Sequence, residues 1–276
     1  IVKDIIRMEL EDKGIKKPKV AKEKEKDLDK LKQQIIDFAS EQGFLTGFTK
    51  VDRRYISDGK DELFPYDTLL VLGIEMDYDQ VMEIPHPGVK TKENHSFNAY
   101  ERAGKKVHVV ADFIRSKGYE CSTRVAFDAK IKYPPHVVNS GMGNYGTHGL
   151  VITKEYVSRV RFCAINIDAD IPIDSPRELN VEEVCSRCRL CQKCCPGKSI
   201  PKDAFEWRGA VKRRINPKRC IPNFKENNIC GICLKVCPIS TFGYEKCMES
   251  IPQYYKYNIM GDVIDKDEFM HKEEGK

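Results

Sequence analysis

The sequence predicts an α+β protein built from two parts, and three observations lead to that prediction. Helix-like and strand-like hydrophobic patterns alternate along residues 27–167. Cysteines concentrate in residues 185–238, where one spacing motif occurs twice. The length of 276 residues allows one large domain with its own hydrophobic core and a smaller domain beside it.

The hydrophobic patterns define the elements of the larger part in chain order. Apolar residues at helical spacing precede Gly43 and again precede Gly118, and a glycine in this position commonly ends a helix. Compact apolar runs between turn signals are typical of buried strands. The predicted elements are a helix over 27–42, strands over 44–50 and 68–74, a helix over 96–117, and strands over 119–126, 150–153 and 159–167.

Glycines crowd into residues 141–149, which read Gly-Met-Gly-Asn-Tyr-Gly-Thr-His-Gly. Glycine lets the main chain approach a large flat group or form an unusual turn, and the pattern leaves both interpretations open. Gly141, Gly143 and Gly146 have the G-x-G-x-x-G spacing but do not open a predicted helix, so a dinucleotide-binding fold has little support.

The cysteine spacing predicts two [4Fe–4S] clusters. The first run, residues 185–196, reads C-x2-C-x2-C-x3-C-P, which is the bacterial ferredoxin spacing; the second ends in the same way, with its first cysteine moved upstream. In two-cluster ferredoxins the fourth cysteine of each run binds the other cluster. This exchange predicts one cluster on Cys185, Cys188, Cys191 and Cys237, and the other on Cys195, Cys220, Cys230 and Cys233.

Other roles for these cysteines fit the pattern less well. Zinc sites favour isolated C-x2-C pairs or Cys/His sets that close at four ligands, and disulfides favour smaller secreted chains. Cys194 is expected to be no ligand, because the doubled motif is complete without it. Cys121, Cys163 and Cys247 lie outside both runs and are expected to be ordinary small buried or half-buried residues.

Composition limits the remaining function classes. The net charge of +5 is only mildly basic, so a nucleic-acid partner is not expected. No apolar run reaches the roughly 18 residues that a membrane-spanning helix needs. No signal peptide is visible, although the first residue is Ile1 and processing stays open. Twelve cysteines indicate a reducing, anaerobic cytoplasm, and the oligomeric state is not predicted.

The stretch before the cysteines resembles the corrinoid-dependent reductive dehalogenases. The family pattern there is roughly A-G-L-G-E-x-G-R-H-G-L-L-I-T-P-E-Y-G-P-R-V-R, and it is matched by Gly141-Met142-Gly143, His148-Gly149-Leu150, Ile152-Thr153 and Arg159-Val160-Arg161. The chain departs from it at Asn144 for Glu, Thr147 for Arg, Lys154 for Pro and Val157-Ser158 for Gly-Pro. Epoxyqueuosine reductases are related enzymes, and their glycine segment reads more like G-L-G-W-x-G-K-N.

The resemblance implies a specific architecture for the α+β chain. A nitroreductase-like cobalamin-binding domain is followed by a ferredoxin-like domain with two [4Fe–4S] clusters. The implied boundaries are a charged N-terminal arm over 1–26, the nitroreductase-like corrinoid and substrate domain over 27–175, the ferredoxin-like domain over 176–245 and a C-terminal tail over 246–276.

The resemblance also implies a function, a cobalamin-dependent oxidoreductase in which the two clusters pass electrons to a corrinoid that reduces a small substrate. The electron donor would be a protein such as ferredoxin or flavodoxin. The implied corrinoid contacts come from Tyr133, Gly141, Met142, Gly143 and His148.

Three residues are implied in the chemistry. Tyr100 on the helix over 96–117 is the dehalogenase-like proton donor, and Arg161 is the cation that assists it. Asp128 is the corresponding acid if the chemistry follows epoxyqueuosine reductases. On pattern alone Tyr100 also fits a half-buried core tyrosine. The alternatives are an electron-transfer iron–sulfur protein without corrinoid and an epoxyqueuosine reductase that modifies tRNA.

Overall fold

The computed structural model describes residues 19–84, 97–125, 130–226 and 230–254. It contains both helices and sheet, which confirms the α+β class, whereas the nitroreductase-like and ferredoxin-like domain types stay predictions. The contacts divide the chain into two units. The first is formed by residues 1–76, 96–144 and 160–178, and the second by residues 77–95, 145–159 and 179–276. The predicted domains, 27–175 and 176–245, are each continuous in sequence, and their boundaries stay a prediction.

A four-stranded antiparallel sheet organises the first unit. Its strands are β1 (Phe44–Lys50), β2 (Thr68–Glu75), β3 (Cys121–Arg124) and β6 (Val160–Ile167), in the spatial order β1-β2-β6-β3. Every residue of β2 from Thr68 to Ile74 is buried, which matches the compact apolar run in the sequence. Neighbours on both edges explain this burial, because β2 pairs with β1 on one side and with β6 on the other.

Helices cover the sheet. The helix Leu28–Glu41 begins at Asp27, whose carboxylate accepts the main-chain N–H of Lys30 at 3.0 Å, and it buries Leu31 and Ile35. The long helix Phe97–Ser116 packs against this helix, and the rings of Phe113 and Phe38 stack with their centroids 4.3 Å apart. The other helical segments of this unit are Arg53–Tyr55, Asp61–Leu63 and Tyr133–Asn139.

Irregular segments complete the first unit. Of the predicted charged arm, residues 1–18 lie outside the described residues, whereas residues 19–26 form an irregular lead-in. This lead-in is tied to the end of the long helix: Glu25 donates its N–H to the Lys117 carbonyl at 3.1 Å and accepts the Tyr119 hydroxyl at 2.6 Å. Asp174 ties residues after β6 to the sheet, because its carboxylate accepts the Phe48 N–H at 2.8 Å and the Lys32 ammonium at 2.6 Å.

The second unit consists of short elements, as expected for a chain that bends cysteines toward clusters. Its hydrophobic core includes Ile152, Val181, Ile239 and Cys247. Its helices are Tyr78–Met82, Val181–Cys188, Leu190–Lys193, Pro217–Glu226, Ile232–Lys235, Pro238–Phe242 and Tyr244–Tyr254, and its strands are β5 (Val151–Thr153), β7 (Phe205–Trp207) and β8 (Ala210–Lys212). The strand β4 (Gly143–Tyr145) spans the chain position where the units divide.

The predicted elements agree with the structure over most of the chain. Both predicted helices are present, and the strand predicted over 44–50 has those bounds. The strand predicted over 119–126 is limited to Cys121–Arg124, and residues 126–129 lie outside the described part. Within the described ranges, none of the helices has the length and apolar character that crossing a bilayer requires.

Candidate functional site

Four of the predicted cluster ligands line one cavity in the second unit. Helix Val181–Cys188 carries Cys185 and Cys188, the next short helix carries Cys191, and Cys237 caps helix Pro238–Phe242. All four thiols border this cavity. The fold therefore brings the last cysteine of the second motif to the first three cysteines of the first motif, as the exchanged-ligand spacing predicts.

A sharp turn between two helices positions three of these thiols. Arg189 lies between Cys188 and Cys191 and has φ +54°, in the left-handed region that non-glycine residues seldom adopt. Its guanidinium Nε donates to the Ser186 carbonyl at 2.9 Å, which holds the turn in place. The turn ends one helix and starts the next, so the cysteines of the C-x2-C-x2-C run face a common cavity.

The electrostatics of this cavity favour neutral thiols until metal binds. Burial raises the pKa of Cys185 to about 12, and the nearby Cys237 acts in the same direction. Burial also raises the pKa values of Cys191 and Cys237, although main-chain N–H groups of Ser240 and Ile239 oppose the shift at Cys237. Bound iron would supply the positive charge that makes such thiols ionise, and metal binding would then be coupled to deprotonation.

The thiols surround a volume and do not converge on a point. Among the residues with described positions, no three His, Cys, Asp or Glu side chains are grouped to hold a single metal ion. In a [4Fe–4S] cluster each cysteine binds a different iron atom, so its ligands enclose a cavity. The donor set and the shared cavity at Cys185, Cys188, Cys191 and Cys237 fit such a cluster.

The second predicted set is brought together in part. Burial raises the pKa of Cys220, with Cys195 and Cys230 as the neighbouring groups that add to the shift. Cys195 accepts the main-chain N–H of Ser199 at 3.3 Å. Cys233 lies in helix Ile232–Lys235, and it contributes to the raised pKa of Cys191. Its membership in the second cluster stays a prediction.

Three of the four other cysteines are buried, as expected, and the prediction that Cys194 is no ligand stays a prediction. Cys121, Cys163 and Cys247 are buried, and Cys194 is half-buried. All twelve cysteines lie in the described residues and none forms a disulfide. Cys247 packs in the same hydrophobic core as Cys185 and Cys237, which makes it a close neighbour of the first set.

Serines after each Cys-Pro pair support the cysteines and were missed in the sequence. Ser199 follows Cys195-Pro196 and its hydroxyl lies 3.1 Å from the Cys195 sulfur. Ser240 follows Cys237-Pro238, and its hydroxyl shares a hydrogen bond with that of Ser158. Arg159 donates to the Ser240 carbonyl at 3.3 Å. The signal was present, since a serine comes three or four residues after the cysteine in both runs.

In the first unit, two predicted catalytic residues lie together. The guanidinium carbon of Arg161 is 5.2 Å from the ring centroid of Tyr100, a cation–π distance. Both side chains are half-buried. Tyr100 belongs to the first turns of helix Phe97–Ser116, and Arg161 belongs to β6. The arrangement places a phenol beside a cation, which suits proton transfer from the hydroxyl.

The predicted corrinoid residues are found in several settings. The Tyr133 hydroxyl donates to the Val125 carbonyl at 2.6 Å, and Met142 is buried with its sulfur beside Gly73. Gly141 has φ +70°, and a side chain there would strike the Ser175 carbonyl. The side chains of Tyr133 and Met142 therefore make contacts within the first unit. Contact with a corrinoid along this stretch would fall to main-chain groups, which buried Gly143 leaves unobstructed by any side chain.

Two predicted residues remain, His148 and Asp128, and the structure describes the position of His148. His148 lies in the second unit and borders the cavity of the first four cysteines. Burial, with the positive charge of Lys212, lowers the pKa of His148 to about 4, so the ring is neutral at physiological pH. Asp128 lies outside the described residues.

Comparisons with curated proteins connect the chain to two groups of reductases. No protein-family model matches it. It is 27% identical over 187 residues to a tetrachloroethene reductive dehalogenase of Desulfitobacterium hafniense, and 26% identical over 190 residues to that of Dehalobacter restrictus. It is 24% identical over 199 residues to epoxyqueuosine reductase of Escherichia coli. The matches cover 63–64% of this chain, but 33% of each dehalogenase and 50% of the epoxyqueuosine reductase.

Solved structures give the same two groups. A reductive dehalogenase studied for B12-dependent dehalogenation has a TM-score of 0.75 at 19% identity, covering 96% of this chain and 40% of that one. Epoxyqueuosine reductase from Bacillus subtilis has a TM-score of 0.54 at 17% identity, covering 78% of this chain and 66% of that one. At these identities the structural likeness shows the fold alone, and this chain spans about a third of the length of the curated dehalogenases that it matches.

The match in sequence to the tetrachloroethene reductive dehalogenases and the match in fold to the solved ones agree with each other. The chain is therefore similar to the reductive dehalogenases in both sequence and fold, and it is also similar to the epoxyqueuosine reductases.

Proposed function

We propose that this chain carries the electron-transfer and substrate-reducing part of a corrinoid-dependent reductase of the dehalogenase type. The clusters hold the electrons, and a bound cobalamin would supply low-valent cobalt as the site of substrate reduction. The overall conversion of an organohalide consumes two electrons and one proton and releases a halide ion. Another small molecule that accepts two electrons and a proton would suit the same residues.

The observation that carries this proposal is the Tyr100–Arg161 pair. A phenol that gives its proton to a substrate leaves a negative charge on its oxygen, and a guanidinium nearby stabilises that charge. The pair lies in the first unit with the Arg161 guanidinium carbon 5.2 Å from the ring centroid. A purely electron-transferring protein has no need of a proton donor and a cation at this position.

The cysteine cavity supports the electron-transfer part. Cys185, Cys188, Cys191 and Cys237 share one cavity. Burial raises the pKa values of Cys220 and Cys230, and the nearby Cys195 adds to both shifts. Two clusters close in sequence suit the delivery of single electrons from a protein donor such as ferredoxin or flavodoxin. This part of the proposal is independent of the corrinoid.

Metal analysis with a visible spectrum tests the proposal. Protein purified without oxygen should contain about eight iron and eight sulfide per chain. After incubation with cobalamin and gel filtration, about one cobalt per chain should remain bound, with corrinoid bands beside the cluster absorption. Clusters without retained cobalt would instead favour the electron-transfer protein.

The epoxyqueuosine reductase alternative is supported by the sequence match to that enzyme. It differs in its substrate, a modified tRNA. Incubation of the reduced, cobalamin-loaded protein with tRNA carrying epoxyqueuosine distinguishes the two, because only this alternative produces queuosine.

A further inference from the structure

His148 has a ring nitrogen whose proton is fixed by its surroundings. The residue is 1% exposed, and its Nδ1 accepts the main-chain N–H of Leu150 at 3.2 Å. A neutral imidazole that accepts at one nitrogen carries its proton on the other. Nε2 is therefore an N–H donor.

The donor has no protein acceptor in the described part of the chain. Nε2 is fully buried without a hydrogen-bond partner there, although buried N–H groups are nearly always paired. The ring borders the cavity lined by Cys185, Cys188, Cys191 and Cys237. Gly146 makes room for it, because a side chain at Gly146 would lie 2.7 Å from His148 Cε1.

We propose that His148 donates an N–H···S hydrogen bond to the cluster held by Cys185, Cys188, Cys191 and Cys237, and so raises its reduction potential. Hydrogen bonds to cluster sulfurs are a known determinant of cluster potential, because they stabilise the extra negative charge of the reduced state. The inference rests on the cluster part of the proposed function. It assigns His148 to the cluster and not to the corrinoid.

The potential of each cluster, measured by titration with electron paramagnetic resonance, tests the assignment. His148→Leu should lower the reduction equilibrium constant of this cluster about tenfold, which is about 59 mV for one electron. The cluster of Cys195 and Cys220 should keep its potential. His148→Gln retains an amide N–H donor and should restore part of the shift. Ile152→Val, a packing change in the same core, should leave both potentials unchanged.

A spectroscopic measurement covers the case in which His148→Leu fails to assemble the cluster. Protein grown with an isotope-labelled histidine should show a hyperfine coupling between a ring nitrogen and the reduced cluster. Intact iron and sulfide content without that coupling, or with equal potentials in wild type and His148→Leu, would overturn the inference. Absence of iron from the wild-type protein would instead contradict the proposed function.

A separate observation concerns the surface beside the other cysteine set. Residues 196–219 contain eight Lys or Arg and two Asp or Glu, a local charge of +6 in a chain of net charge +5. A surface hollow lies within this segment. Its lining includes four basic residues and no acidic one: Lys198, Arg214, Lys218 and Arg219.

The hollow adjoins a predicted cluster. Ser199 lines it and also contacts the Cys195 sulfur at 3.1 Å through its hydroxyl. Phe205, 45% exposed, adds an apolar contact at the rim. We infer that an acidic electron-carrier protein docks here and passes one electron at a time to the cluster of Cys195, Cys220 and Cys230. The carrier is oxidised by one electron as the cluster is reduced by one, and this inference also rests on the proposed function.

Charge reversal tests this surface. Lys198→Glu with Lys218→Glu should slow cluster reduction by reduced ferredoxin about tenfold or more at low salt, with a smaller effect at high salt. Reduction by photoreduced deazaflavin should keep its rate. The matched control, Lys26→Glu with Lys60→Glu, changes the net charge equally at exposed sites in the other unit. Equal slowing in both variants, or patch-dependent binding of a tRNA stem-loop with normal reduction by ferredoxin, would contradict the inference.

Discussion

At the scale of single residues, the register of the sheet explains how Arg161 reaches Tyr100. Arg161 is paired with Ile74 of β2, whereas its neighbour Phe162 is paired with Gly73. Successive side chains of a strand point to opposite faces, so Arg161 and Phe162 face different layers. The Phe162 ring lies beside Gly73, and the guanidinium of Arg161 lies over Tyr100 of the long helix.

Substituting Tyr100 separates chemistry from packing. Tyr100→Phe keeps the ring and the cation–π contact but removes the hydroxyl, so turnover should fall by about a hundredfold or more with clusters and corrinoid retained. Tyr119→Phe also removes a hydroxyl, one that donates to Glu25, and should cost stability without loss of turnover. Steady-state rates per cluster-loaded molecule measure both. A large loss in Asp128→Asn with normal turnover in Tyr100→Phe would move the chemistry toward the epoxyqueuosine reductases.

Two glycines should respond in opposite ways to alanine. Gly141 has φ +70°, and a side chain there would strike the Ser175 carbonyl, so Gly141→Ala should destabilise the fold by about 1–2 kcal/mol or more. Gly104 lies inside helix Phe97–Ser116 with open space around it, and Gly104→Ala should stabilise by about 0.5–1 kcal/mol. Denaturant unfolding of both variants gives the signs, and a stable Gly141→Ala would show that the turn adapts.

At the scale of elements, the sequence predicted the helices and strands whose start, end and apolar spacing are marked by nearby residues. Helix Leu28–Glu41 was visible because its apolar spacing, its Asp27 cap and the following glycine are all local. Helix Tyr133–Asn139 was missed, although proline in the first turn is a favourable start. The positions of His148 and Asp174 were not predictable, since each depends on contacts with residues far away in sequence.

Asp174 should matter more than its exposed neighbour Asp170. Asp174 bonds both the Phe48 N–H and the Lys32 ammonium, so Asp174→Ala should cost about 1–2 kcal/mol of unfolding free energy. Asp174→Asn retains one acceptor and should cost less. Asp170 is exposed and pairs with the exposed Lys50, so Asp170→Ala should be close to neutral. Equal effects of the two alanine variants, measured by thermal unfolding, would contradict this ranking.

At the scale of the whole molecule, the grouping of the cysteines and the grouping of the two units depend on different signals in the sequence. Cys237 lines the cavity of the first run, in agreement with the doubled motif, whereas its role as an exchanged ligand stays a prediction. The two units are not continuous in sequence, because residues 77–84 and 145–159 group with the cysteine-bearing unit. Local composition gives no sign of such grouping.

The exchange of ligands can be tested by comparing two buried cysteines. Cys237→Ala should remove the cluster held with Cys185, although Cys237 lies in the second motif, and should halve the iron content. Cys247→Ala changes a buried neighbour in the same core that is not a predicted ligand, and should leave about eight iron per chain. Loss of only the cluster held by Cys220 and Cys230 in Cys237→Ala would show that the ligands are not exchanged.

The contacts of Tyr78 and Ile84 limit when this part of the chain can fold during synthesis. Tyr78 donates to the Thr241 carbonyl across 163 positions, and the Ile84 carbonyl accepts from Lys235 across 151. A growing chain therefore leaves the ribosome with this segment waiting for partners that are translated much later. We expect iron delivery to follow the emergence of Cys237, and stalled nascent chains that end before it should bind no iron at the first set of thiols.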